Sequence, residues 1–292
     1  MTRAGFVGLA GRPNAGKSTL LNRIVGEKVA IVSDKPQTTR RAIRGIATTD
    51  DWQLVMVDLP GMQRPRDAMT ERMQRRVEQE LRDSDAALIM LNGEQSVGPG
   101  DRFIARTVAR AGRPAIVAVN KMDKLSRAQT LDALTAADGL GLDAEIYPVS
   151  ARTGEGVDQL LAALVELLPE SPFLYPPEDH DDLPENVRLA ELVREQVLRR
   201  TKEELPHAVE VEVDEVVERD GLLWVGARIV AETESQKGIL IGAGGRMIRA
   251  IGTAARPEIE ARLGRKVHLD LVVRVRRAWR RDEAQLDRLG IE

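Results

Sequence analysis

Between residues 4 and 168, short apolar runs of β-forming residues alternate with amphipathic stretches of helical period, and that alternation admits few folds. The runs fall at 5–10, 53–57, 86–91, 115–120 and 145–148. Helical patterns at 17–25, 69–82 and 101–111 lie between most of them, and one at 156–168 follows the last. Parallel strands need a crossover, and a helix supplies it. The expected architecture is therefore an α/β domain with a mostly parallel, doubly wound sheet. Such sheets bind ligands outside the carboxyl ends of their strands, so the residues that follow each apolar run carry the information.

Directly after the first run comes Gly11-Arg12-Pro13-Asn14-Ala15-Gly16-Lys17-Ser18-Thr19, followed by a helical pattern. A glycine-rich loop opening a helix surrounds phosphate with backbone N–H groups, and the helix N-terminus favours the negative charge. Lys17 is expected to reach the β- and γ-phosphates, and the Ser18 hydroxyl to ligate Mg²⁺. After the run at 53–57 stands Asp58-Leu59-Pro60-Gly61. Alone such a tetrapeptide is a turn. Downstream of a phosphate loop it puts a carboxylate, Asp58, where it can hold the ion, and the N–H of Gly61 near the γ-phosphate. After the run at 115–120 comes Lys121-Met122-Asp123, preceded by Asn120. A carboxylate at Asp123 accepts from both N1–H and the amino group of guanine, whereas adenine presents an acceptor there and leaves a buried charge unpaired. Ser150-Ala151, after the last run, can offer a backbone N–H to the guanine O6, although the pair is also a common helix cap.

With 42% hydrophobic and 30% charged residues in 292, the chain has a globular composition and room for two domains. No apolar run approaches the roughly 18 residues of a membrane-spanning helix, and the short run after Arg3 is too brief for a secretory signal, so an intracellular protein is expected. Zero cysteines exclude disulfide and thiolate chemistry, and three scattered histidines give no transition-metal cluster. The net charge of −3 conceals opposed regions: residues 178–220 hold fifteen acidic against six basic groups, residues 237–281 three acidic against twelve basic. Five prolines in 169–185 disfavour helix and ladder alike, so the expected division is 1–168, a linker at 169–185, and 186–292. In the last part the pattern reads as a helix, two strands, a glycine-rich turn, two helices at 246–251 and 256–263, and a strand, an α+β module.

That turn is Gly242-Ala243-Gly244-Gly245, followed by Arg246. Most G-x-x-G turns are plain turns. Here the turn is expected between an apolar strand end and a helix, and Lys237, Arg246 and Arg249 surround it with positive charge, which points to a clamp for the backbone of single-stranded nucleic acid. Trp279, among Arg276, Arg277 and Arg280, either stacks on a base or is an interface anchor or a packed cap.

The order of the four nucleotide motifs resembles the translation-factor-like GTPases. The phosphate-loop sequence with Gln37-Thr38-Thr39-Arg40 narrows this to the branch of TrmE, Era and EngA. The resemblance implies that Thr39, rather than Thr38, is the switch threonine on Mg²⁺, and Asn14 matches the position that coordinates a K⁺ ion in some relatives. The C-terminal module resembles the type II KH fold. From end to end, including Gln236-Lys237-Gly238-Ile239 and the stretch through Arg280, the chain resembles the Era family of bacterial GTPases: a P-loop GTPase domain with a mostly parallel sheet, then an α+β type II KH domain. That implies GTP and GDP as ligands and binding near the 3′ end of small-subunit ribosomal RNA. It further implies a role in 30S subunit assembly and a cytoplasmic location with peripheral contact at the inner face of the membrane. Ala243 departs from the family, which commonly has lysine there.

In Ras-like enzymes a glutamine after the Asp-x-x-Gly glycine aligns the attacking water; here that position is Met62, with Gln63 one residue late. Slow intrinsic hydrolysis is expected, catalysis resting on Lys17, Thr39, Gly61 and the ion. A rival reading is an RNA-binding chaperone whose nucleotide is structural.

Overall fold

The structure, a computed structural model, describes residues 2–35, 37–62, 65, 67–219, 221–289 and 291. Its contacts divide the chain into two compact units that part between Asp182 and Leu183.

The first unit is built on a six-stranded sheet. Its strands are β1 (Arg3–Gly11), β2 (Ile43–Thr48), β3 (Trp52–Asp58), β4 (Ala86–Asn92), β5 (Ala115–Asn120) and β6 (Ile146–Pro148), in the spatial order β2-β3-β1-β4-β5-β6. All neighbours are parallel except β2, which runs antiparallel to β3 at the edge. The helices are α1 (Lys17–Val25), α2 (Ala68–Asp83), α3 (Pro99–Ala111), α4 (Arg127–Asp138) and α5 (Val157–Glu166). The central strands are buried almost throughout, as a sheet covered on both faces requires. Because β1 and β4 lie side by side with chain connections leaving in opposite directions, the carboxyl end of β1 opens the crevice into which the glycine-rich loop projects.

β2 and α4 were not among the expected elements. Gly45 interrupts the apolar character of β2 where the Leu21 and Val25 side chains press against its backbone. In α4 Leu131 is 65% exposed and Ala137 is the buried residue, so no clean apolar stripe marks the helix.

The proline-rich segment lies along this first unit. Bridges pair Arg3 with Glu170 and Gly45 with Asp181. The fully buried Gln53 binds it with its whole amide, Oε1 accepting from the N–H groups of Leu174 (2.8 Å) and Tyr175 (2.9 Å) and Nε2 donating to the Tyr175 carbonyl (2.9 Å). Arg44 on β2 adds ion pairs to Asp182 (2.9 Å) and to Glu80 on α2 (3.2 Å).

The second unit runs α6 (Glu185–Arg200), β7 (Glu210–Arg219), β8 (Leu222–Ala231), α7 (Glu234–Ile241), α8 (Arg246–Leu263), β9 (Val267–Val275) and α9 (Glu283–Arg288). The sheet order is β7-β8-β9, with β7 antiparallel and β9 parallel to β8. Odd-numbered residues of β8 and β9 face inward, where Val225, Ala227, Ile229, Val267 and Val273 pack with Val193 and Val197 of α6 and Ile251, Ala255 and Ile259 of α8. α6 is buried from Arg188 through Leu198, and its buried Arg194 is held by Glu191 (2.6 Å).

Two expectations need correction here. The G-x-x-G turn does not follow a strand: it joins two helices, because Thr233 and Gln236 form a capping box that starts α7 ahead of it. The helices expected at 246–251 and 256–263 are the single helix α8, which continues through Gly252 and carries Pro257 inside it.

Candidate functional site

The loop from Gly11 to Lys17 closes by backbone strain held in place from outside. Asn14 has φ +63° and Gly16 φ +101°. A Cβ at Gly16 would drive into the amide of Asn120, so only glycine fits. Asn120 is itself buried, at the end of β5. Its Nδ2 donates to the Ala15 carbonyl (2.8 Å), and its Oδ1 accepts from the Ala151 N–H (2.9 Å). One side chain thus ties the phosphate loop, the Asn120–Asp123 turn and the Ser150–Ala151 turn together, three segments far apart in sequence.

Lys17 is buried, with Nζ donating only long bonds to the carbonyls of Gly11 (3.3 Å) and Arg12 (3.4 Å). Burial pushes its pKa down, partly offset by Asp58. Asp58 is fully buried, and burial pushes its carboxyl up against the opposing pull of Lys17, Ser18 and Thr39. Its Oδ2 accepts from Ser18 Oγ (2.6 Å) and Thr39 Oγ1 (3.1 Å), and those two hydroxyls lie 3.3 Å apart. Its Oδ1 is buried without a hydrogen-bond partner among the described residues. An orphaned carboxylate oxygen beside two converging hydroxyls is a hard-oxygen donor set that suits Mg²⁺. Thr38 turns elsewhere, donating to the Lys35 carbonyl (2.6 Å). A cavity here is lined by Pro13, Asn14, Gly16–Thr19 and, across it, by Ile31–Ser33, Gln37–Thr39 and Gly61. Asn14 Nδ2 donates to the Asp34 carbonyl (2.6 Å), linking the phosphate loop to that facing segment. Arg12 is turned to Asp101 on α3 (3.3 Å).

At the other end, Asp123 Oδ1 accepts from Ser150 Oγ (2.5 Å) and Oδ2 from Arg152 Nη2 (2.6 Å) and Nε (3.1 Å). The Ser150 hydroxyl and the Arg152 guanidinium hold this carboxyl below its ordinary value, so it is ionised at neutral pH. Lys121 sits at φ +70° with its ammonium on Glu94 (3.0 Å). Arg152 and Glu94 were missed from sequence; Arg152 directly follows the Ser150-Ala151 pair, which is the only sequence signal for it. Met62 is 3% exposed, in the apolar cluster of Val57, Leu59 and Val77, with its N–H on the Gly11 carbonyl (3.2 Å). Gln63 lies outside the described residues. No group of three or more His, Cys, Asp or Glu suited to a metal occurs among the described residues.

In the second unit the Gly242–Gly245 turn leads into α8 with Gly242 at φ +71°, Gly244 at +60° and Gly245 at +76°. A Cβ at Gly242 would stand 2.9 Å from the Met247 backbone N. Arg246 Nε donates to the Ala243 carbonyl (3.3 Å), and Arg249 bonds the Gly244 carbonyl, so both guanidinium groups sit on the turn. Lys237, on α7, is half-buried beside Glu234 (3.6 Å). Beside the turn a groove between α8 and β9 is lined by Ile248, Arg249, Gly252, Arg256, His268 and Leu271. Apart from Arg249, these groove residues were not singled out from sequence, since they lie on two elements that only the fold brings together.

Trp279 requires a correction. It is 0% exposed, and its Nε1 donates to the Ala208 carbonyl (3.1 Å), so its ring has no face for a base; it is the packed cap. Arg276 is engaged as well, its guanidinium forked on Glu212 at 2.7 and 2.8 Å. Arg277 precedes the turn at Ala278, where φ is +50°.

Residues 6–121 match the family described as 50S ribosome-binding GTPase, and residues 204–280 match the KH domain. The GTPase Era of Mycobacterium bovis is 46% identical over 294 residues, covering 98% of this chain and 98% of its own. A solved structure of a variant of Aquifex aeolicus Era bound to GDP·AlF4⁻ is similar with a TM-score of 0.95 at 34% identity, covering 99% of each chain. An Era complex with MgGDPNP and nucleotides 1506–1542 of 16S ribosomal RNA is similar with the same TM-score of 0.95 and 34% identity, covering 100% of this chain and 99% of that one. No helix among the described residues is long and apolar enough to cross a membrane. With phosphate loop, base turn and G-x-x-G clamp on one chain, and with that identity along nearly its whole length, the chain belongs to the Era family of GTPases.

Proposed function

We infer that the chain binds GTP and hydrolyses it to GDP and phosphate at a low intrinsic rate, and that its KH domain clamps the single-stranded 3′ end of small-subunit ribosomal RNA during assembly of the 30S subunit. The observation that carries the nucleotide half is Asn120, which joins the phosphate loop to the two turns that meet the base.

In this reading the amides from Asn14 to Ser18 enclose the phosphates, and Lys17, whose ammonium has only weak carbonyl partners, gains a strong one in the β- and γ-oxygens. Ser18, Thr39 and Asp58 would hold Mg²⁺, which when bound neutralises charge on the phosphate oxygens. The Gly61 N–H contacts the γ-phosphate. Asp123 accepts from guanine as Arg152 swings aside, which its 71% exposed side chain permits. The O6 contact expected of Ser150-Ala151 needs correction: the Ala151 N–H is donated to Asn120 Oδ1 (2.9 Å) and the Ser150 N–H to the Glu155 carbonyl (2.9 Å), so the pair braces the base turn and neither N–H is assigned to the base, while Lys121 covers the ring. K⁺ at Asn14 is an accompanying proposal, supported by the amide nitrogen being taken by Asp34, which leaves Oδ1 for a cation.

Hydrolysis needs an aligned water, and Met62 is doubly unsuited: its thioether accepts poorly, and its side chain is in the core. Intrinsic turnover in such enzymes can be as low as about 10⁻⁴ per second, with up to roughly 10⁵-fold available from a partner's positive group. For RNA, support comes from the positive-φ turn, the helix N-terminus behind it, and Arg246 and Arg249 upon it. Ala243 contributes no charge, so Lys237, Arg246 and Arg249 carry the salt dependence. We take residues 169–185 as the connection between the GTPase and KH domains. The same reading puts the protein in the cytoplasm. Peripheral membrane contact rests on the family alone, since α6, the nearest amphipathic candidate, is buried from Arg188 through Leu198.

The buried Met62 also favours the chaperone reading, in which nucleotide is structural. RNA affinity measured with GDP and with a non-hydrolysable GTP analogue separates the two: a switch requires a difference of about 5-fold or more, and equal values leave the nucleotide structural. Gly242→Asp should abolish binding in both states while leaving GTP hydrolysis intact.

A further inference from the structure

Even-numbered residues of β8 and β9 face away from the core of the KH unit, and on that outer face Trp224 and His268 stand in register on adjacent strands. Their ring centroids are 3.9 Å apart with planes tilted by 39°. The Arg219 guanidinium lies 5.2 Å from the Trp224 ring centroid, itself paired with Glu215 at 3.1 Å. Trp224 is thereby half-buried between a cation and an imidazole, while His268 is exposed. His268 also belongs to the groove between α8 and β9, together with Arg249, Gly252, Arg256 and Leu271. His268 therefore stands where the groove meets the outer sheet face.

We propose that His268, backed by Trp224, is a base-stacking platform at the margin of the groove, which takes a nucleobase of the single-stranded RNA that passes the Gly242–Gly245 turn. The inference rests on the RNA-binding reading above. Every base has a π-face, and an exposed ring fixed from behind by a second ring gives up little freedom on stacking. Groove cations at Arg249 and Arg256 bring a phosphate backbone, not an apolar peptide, past this ring. In a chain with only 3% aromatic residues, a paired and partly exposed aromatic site beside a basic groove favours a nucleobase over a protein partner. Trp224, half-buried and in contact with both Arg219 and His268, is the support, and the exposed His268 is the contact.

The test uses the full chain and the ribosomal RNA fragment 1506–1542 as probe, with 2-aminopurine substituted one position at a time. Wild type should bind and quench 2-aminopurine at one position. His268→Ala should bind roughly 5- to 150-fold more weakly, the range for loss of one stacked base, and should lose that quench. His268→Phe should restore both, and the position-specific quench is the readout that a merely structural role for the ring would not move. Thermal melting of both variants fixes a temperature at which each is fully folded, and the loss of binding and quench in His268→Ala should persist there, apart from any loss of the Trp224 contact. If His268→Ala binds as wild type does and the quench persists, the platform is overturned while the clamp stands. If wild type itself does not bind the fragment, the RNA-binding reading fails and the platform with it.

Discussion

Asn120→Ala removes the side chain that joins the phosphate loop to the two base turns. Two hydrogen bonds disappear, one of 2.8 Å to the Ala15 carbonyl and one of 2.9 Å from the Ala151 N–H. Each is worth about 0.5–1.5 kcal/mol net, and each leaves a buried partner whose desolvation costs about 1–3 kcal/mol. Ala15 and Ala151 are both at most 2% exposed, so water reaches them only if the turns move. Allowing for that relaxation, the loss is about 2–4 kcal/mol, or roughly 30- to 1000-fold in nucleotide affinity. GTP and GDP should weaken alike, because neither lost bond touches the γ-phosphate. Stopped-flow or equilibrium binding of a fluorescent GDP and GTP pair reads this directly. Asn120→Asp should do no better, since it keeps the acceptor for Ala151 but sets an oxygen against the Ala15 carbonyl. Affinity of Asn120→Ala within about 3-fold of wild type would refute the reasoning, because it would mean the two bonds carry little of the loops' organisation.

Met62→Gln should not create a fast enzyme: it puts an amide among Val57, Leu59 and Val77, costs about 1–3 kcal/mol of stability in denaturant unfolding, and leaves kcat no higher. Asp58 predicts a stability slope. Its folded pKa is raised by burial, so between the unfolded value of 3.8 and that raised value the folded chain holds a proton the unfolded chain has released, and stability falls as pH rises through this window. Subtracting the unfolding profile of Asp58→Asn, without Mg²⁺ or nucleotide, should isolate that slope, and a flat difference would deny burial its dominant part. Trp279→Ala should cost about 3–5 kcal/mol of KH-unit stability without a selective loss of base stacking, since the ring is fully buried and bonded to Ala208.

Much of the nucleotide site was legible because its chemistry is carried by short contiguous stretches at strand ends. The apolar run before Gly11 and the helix after Lys17 made the phosphate loop readable, and Ser18, Thr39 and Asp58, read separately as ion ligands, converge within 3.3 Å in space. What escaped was carried by contacts rather than by pattern. Glu94 reaches Lys121 from the loop after β4, and no spacing rule links them. Edge strand β2 broke its alternation at Gly45 to admit Leu21 and Val25. α7 escaped because Gly238 and a run of Ile and Leu read as a strand, although Thr233 and Gln236 at capping-box spacing mark a helix start. α8 was divided at Gly252 and Pro257, yet the helix holds through both, packed on Leu271 of β9. Trp279 could not be decided from its arginine neighbours, because the carbonyl that receives its N–H lies 71 residues away.

The account depends on a carboxylate at Asp123 being ionised and held by Ser150 next to a loop shaped for a triphosphate. Equilibrium binding of GTP and ATP to the full chain under the same Mg²⁺ and salt is the most direct measurement of that claim. ATP is expected at least about 100-fold weaker, because adenine sets an acceptor against the carboxylate and, in displacing Arg152, replaces neither of its hydrogen bonds. ATP binding within a few-fold of GTP would contradict it.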